Sequence, residues 1–87
     1  MAVDPDHLVR VLTDFRDELA RHRDVLAAKV TDMERAYAIL SRDVAGRAAE
    51  EFLQRSRRSR DAFTAYDEAV RDITVILTER LDALRGA

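Results

Sequence analysis

Gly46 constrains this chain more than any other residue. It stands within Asp43-Val44-Ala45-Gly46-Arg47-Ala48-Ala49, and the second glycine of the sequence, Gly86, is next to the C-terminal residue. Between Pro5 and Leu84 the remaining residues are helix formers, so the pattern predicts a single reversal of direction here. The expected fold class is all-α, an antiparallel two-helix hairpin in one domain. Its helices should cover about 5–41 and 47–85, joined by a turn over about 42–46.

The first helix has a start signal in Val3-Asp4-Pro5-Asp6. Asp4 can cap, Pro5 suits the first helical position, and Asp6 lies favourably at the positive end of the helix dipole. Leu8, Leu12, Phe15, Leu19, His22 and Leu26 then alternate spacings of four and three, and the seam continues through Val30, Met33, Tyr37, Leu40 and Val44. Two successive steps of four, which meet at Leu26, form a stutter that relaxes left-handed supercoiling and straightens the helix.

After the break, Ala49, Phe52, Ser56, Ser59, Phe63, Tyr66, Val70, Ile73 and Leu77 follow the same alternation, and a stutter carries the seam to Leu81 and Leu84. Flanking rows widen both stripes. Ala62, Ala69, Ile76 and Ala83 recur every seven residues on the second helix, and Val11, Val25, Ala36 and Ile39 flank the first. The apolar surface is then broader than one helical partner can cover. A lone hairpin also has little interior to offset the entropy of ordering the chain. Pairing of two hairpins into a four-helix-bundle dimer is the expected remedy, with Leu12, Phe15, Leu19, Leu26, Phe52, Phe63, Tyr66, Val70, Ile73 and Leu77 as interface residues. Ser56 and Ser59 mark a thin stretch of that core.

Composition narrows the functional classes. The chain has no Cys, which removes disulfide frameworks and thiolate zinc sites, and its formal net charge of −2 gives no overall bias toward nucleic acid or membrane. No apolar run is long enough for a membrane span, and the N-terminus lacks the apolar core of a signal peptide. Membrane insertion is therefore not expected, and the expected location is cytoplasmic, or secreted without a cleavable signal peptide. His7 and His22 are too far apart, and no Glu-x-x-His pair exists, so no metal site is assigned. Neither a phosphate-binding glycine loop nor a nucleophile elbow is present, and the carboxylates Asp14, Asp17, Glu18 and Asp24 are interleaved with Arg10, Arg16, Arg21 and Arg23 as solvent-side charges. The reading is non-enzymatic, with no cofactor and no catalytic residue. Arg55, Arg57, Arg58 and Arg60, with Arg42 and Arg47 nearby, form the densest basic run. On a helix they spread over more than one face beside Glu50, Glu51 and Asp61, which favours a solvated surface or an acidic protein partner over nucleic acid.

The turn carries a further pattern. Val44-x-Gly46-x-Ala48-Ala49-x-x-Phe52, between two helices of similar length, resembles the W-x-G family of small helical-hairpin proteins of bacterial type VII secretion, with Val44 at the position of the family's tryptophan. Val44 and Gly46 are the turn motif in this reading. The resemblance implies a homo- or heterodimeric four-helix bundle formed with itself or a related hairpin, which reaches a secreted effector or a secretion ATPase through that partner. Family members that carry the export signal have Tyr-x-x-x-Asp/Glu after the second helix. Here Tyr37 is followed four residues on by Ser41 and Tyr66 by Val70. The resemblance thus implies the pair member without the signal, or a helper. Two rival classes remain open on the residues alone: a nucleic-acid-associated helical regulator using Arg55 to Arg60, and a helical adaptor unrelated to secretion.

Overall fold

The computed structural model describes residues 4–43 and 46–86. Helix α1 runs over Pro5–Asp43 and α2 over Arg47–Gly86. They lie against each other as an antiparallel hairpin with extents of 63 × 21 × 16 Å, the expected all-α class. The first helix continues to Asp43, slightly past its expected end near residue 41. Val44, the first residue of the anticipated turn motif, lies outside the described residues.

Local chemistry sets the ends. The Asp6 amide donates to the Asp4 carboxylate at 3.1 Å, and the Leu8 amide donates to the Asp4 carbonyl at 3.0 Å, so Asp4 caps α1 with Pro5 in the first turn. At the reversal Gly46 has φ +73°, the left-handed region where a Cβ would meet the following carbonyl. Its carbonyl accepts the Glu50 amide at 3.2 Å and so begins α2. The sequence signal at Gly46 is thus a backbone requirement of the hairpin.

The core is a single seam. On α2, Ser56, Phe63, Val70 and Leu77 are buried at seven-residue intervals, and a step of four reaches Leu81, which is completely buried. That matches the expected heptads and stutter, with one change: Thr74 turns inward in place of Ile73, its hydroxyl donating to the Val70 carbonyl at 2.7 Å.

On α1 the contact line departs from the heptad pattern. Leu12, Arg16, Leu19, Arg23, Leu26, Val30, Glu34, Tyr37 and Ser41 are buried or half-buried, while Phe15, His22, Met33 and Leu40 are exposed. The inward residues recur at eleven-residue spacing, as in Leu12, Arg23 and Glu34 or Leu19, Val30 and Ser41. Eleven residues in three turns is ~3.67 per turn, close to a straight helix, whereas a seven-residue repeat requires left-handed supercoiling. The helix therefore rolls the apolar heptad positions off the contact line and brings the following residue in.

Candidate interaction face

This roll gives the hairpin two chemically different flanks. Arg16, Arg23 and Glu34 follow Phe15, His22 and Met33 by one residue, and their partners Thr78, Asp67 and Arg60 follow Leu77, Tyr66 and Ser59 by one residue. Because the helices are antiparallel, a rotation of ~100° in the same sense on each carries both sets to the same side. One flank holds the polar cross-links, and the other holds the displaced apolar residues of both helices.

The polar flank ties the helices together. Arg23 Nε donates to Asp67 Oδ1 at 2.7 Å, and Arg71 reaches the other Asp67 oxygen at 3.2 Å. Arg60 grips both carboxylate oxygens of Glu34. Its Nε bond measures 3.1 Å. Hydrogen bonding from Arg23 holds the Asp67 carboxyl below its ordinary range, and Arg60 does the same for Glu34. Between these pairs lies Phe63, with the guanidinium carbons of Arg23 and Arg60 at 5.4 and 5.8 Å from its ring centroid. Arg16 adds a 3.3 Å hydrogen bond to the Thr78 hydroxyl. The basic run is thereby divided: Arg60 is committed to Glu34, while Arg55 and Arg58 turn toward the opposite flank beside Tyr37 and Ser59.

The apolar flank is open. Val11 is 47% exposed, Phe15 49%, Ile73 39% and Ile76 56%, and Val25, Met33 and Leu40 are exposed on the same side of α1. Residues from both helices line its grooves. One is bounded by Leu26, Val30 and Met33 of α1 and by Ser59, Ala62 and Tyr66 of α2. A second, nearer the chain ends, is bounded by Leu8, Leu12, Arg80, Ala83 and Leu84. Ser59 is shared between the first groove and the cleft of Tyr37, Arg55 and Arg58, which makes them one continuous surface. At its middle His22 meets Tyr66 edge-on, with Nδ1 and the phenol oxygen 2.6 Å apart. Tyr37 stacks on Phe52 toward the turn, their centroids 6.1 Å apart.

The interface residues expected from sequence divide accordingly. Phe63, Val70 and Leu77 are buried between the helices, and Leu12, Leu19, Leu26, Phe52 and Tyr66 are half-buried beside them. Phe15 and Ile73 do not lie on the hairpin contact line; both belong to the open flank. The sequence reading missed Arg23, Asp67, Glu34 and Arg60 as the cross-hairpin links. Their signal was present as charge at positions adjacent to the seam, legible only once the eleven-residue spacing is recognised. Among the described residues no group of three or more His, Asp or Glu side chains could hold a metal ion, and no helix is long and apolar enough to cross a membrane.

Comparison of the chain with protein-family models, with curated proteins and with solved structures gives no match.

Proposed function

We propose that this protein is a non-enzymatic interaction subunit that uses its open apolar flank to pair with another helical hairpin in a four-helix bundle. One observation carries the reading: both helices place their displaced apolar side chains, among them Val11, Phe15, Ile73 and Ile76, on the same side of the hairpin. Scattered exposed apolar residues are ordinary, but a continuous stripe across two helices is the mark of an interaction surface. The 63 × 21 Å side of the rod is larger than the ~800 Å² each partner contributes to a stable protein interface.

The cellular setting we propose is type VII secretion, as a W-x-G-like subunit or helper. Support comes from the hairpin itself, from helices of nearly equal length, and from the left-handed Gly46 followed by Ala48, Ala49 and Phe52. The test is release from cells with and without a co-expressed hairpin bearing Tyr-x-x-x-Asp/Glu. Release that depends on that hairpin is the expected result, and retention with every such hairpin would refute the secretion setting.

A further inference from the structure

The turn end of the hairpin carries charge that the fold itself leaves unused. We infer that the cleft formed by Tyr37, Arg55, Arg58 and Ser59 is a docking site for a short acidic peptide segment of another protein, whose carboxylates the two guanidiniums receive. The site is complete within one hairpin and goes beyond the pairing of hairpins proposed above.

Arg58 and Ser59 follow Arg55 by three and four residues, so the three share one face of α2, and Tyr37 of α1 closes the cleft from the other helix. The Tyr37 ring is set in place by its stacking on Phe52, with 22° between the ring planes. The guanidiniums have no such fixture. Both arginines are exposed, and neither forms an ion pair with any described residue, although Glu51 lies four residues before Arg55 and Asp61 three after Arg58. Arg23, Arg60 and Arg71, by contrast, each hold a carboxylate. Two like charges one helical turn apart repel, and a bound carboxylate replaces that repulsion with charge-assisted hydrogen bonds.

The wider charge distribution selects a short acidic ligand. On the turn side of the Glu34–Arg60 pair, residues 35–59 contain six Arg and three acidic side chains, whereas the rest of the chain contains nine basic and fourteen acidic ones. The rod is therefore basic toward its turn and acidic toward its chain ends, which steers an anion to the turn. From Arg47 to Arg58 the basic zone covers only ~17 Å of α2, on a rod 63 Å long. A nucleic acid laid along the rod would leave this zone and meet the acidic remainder, which repels phosphates. A compact pair of carboxylates stays within it. The planar guanidinium fork matches a carboxylate, and clustered arginines are a recurring means of binding acidic motifs. At Ser59 the cleft meets the groove of Met33 and Ala62, where an apolar residue beside the acidic pair gains contact.

The experiment uses the full chain and a short labelled peptide in which two adjacent glutamates are followed by a leucine. Binding is read by fluorescence anisotropy at low salt, where exposed charges are least screened. The wild-type chain should bind this peptide and ignore the same peptide with glutamines. R55Q/R58Q should bind about tenfold or more weakly, whereas R47Q/R57Q, which removes equal charge from the same helix outside the cleft, should stay within about threefold of wild type. All four positions are exposed, and circular dichroism checks that both variants keep their helix content. On the unaltered chain, the peptide should shift the nuclear magnetic resonance signals of Tyr37 and Ser59 before those of Ile73 and Ile76. Equal weakening in both variants, or no binding at millimolar peptide, would overturn the site. So would a single-stranded DNA oligonucleotide of equal charge that binds more tightly and is lost in R55Q/R58Q, since the cleft would then serve nucleic acid. Shifts confined to Ile73 and Ile76 would also overturn it while leaving the pairing of hairpins standing.

Discussion

Arg23 and Asp67 meet across the hairpin at 2.7 Å, one residue beyond His22 and Tyr66, which meet at 2.6 Å on the other flank. A single residue step thus separates the side that holds the helices together from the side left open. The sequence places an ion pair and an amphipathic aromatic pair at the same level of the rod, and helical geometry sends them in opposite directions.

Acid should weaken the hairpin through this polar side. The ordinary values are 3.8 for an Asp and 4.5 for a Glu, and in the folded chain Asp67 and Glu34 lie below them. A carboxylate with a lowered folded pKa adds stability that is fully present above its unfolded value and is lost as pH falls through the folded one. Thermal melts should therefore show stability declining below about pH 4.5. In the double variant D67N/E34Q that decline should be shallower, with lower stability at neutral pH.

Core truncations should separate from flank truncations. Phe63→Ala and Leu81→Ala should each cost about 2–5 kcal/mol, since both side chains are buried between the helices. Ile73→Ala and Phe15→Ala remove residues that the hairpin itself leaves 39% and 49% exposed. In dilute solution they should destabilise by less than about 1 kcal/mol, with a larger effect appearing only as concentration rises. Chemical denaturation at two concentrations checks both halves of this expectation.

Gly46→Ala isolates the backbone requirement of the turn. Among the described residues, a Cβ there would meet no atom within 4 Å beyond those of its chain neighbours, yet φ is +73°, so the cost is the local backbone conformation alone. A loss of about 1–2 kcal/mol is expected, and Gly46→Asn should lose less because Asn tolerates this region. Gly86→Ala, at a helical position with open space around it, should change stability by less than about 0.5 kcal/mol. Urea titration of the three variants gives the comparison.

The hairpin was legible because its signals are local. Gly46 marks the reversal, Asp4 and Pro5 mark the start, and the heptads on α2 predict Phe63, Val70 and Leu77 correctly as buried. The division of α1 into two flanks was not legible from apolar spacing. Phe15, Met33 and Leu40 satisfy a seven-residue seam, but a nearly straight helix presents Arg16, Glu34 and Ser41 to its neighbour instead. The choice between them is made by cross-helix partners, Thr78 for Arg16 and Arg60 for Glu34, which are distant in the sequence.

The central claim is that the open apolar flank is an interface, and sedimentation equilibrium over a dilution series addresses it most directly. The wild-type chain should sediment as a dimer that dissociates on dilution, whereas F15E/I76E, altered on that flank alone, should remain helical and monomeric. A wild-type chain that stays a fully folded, cooperatively melting monomer at every concentration would contradict it.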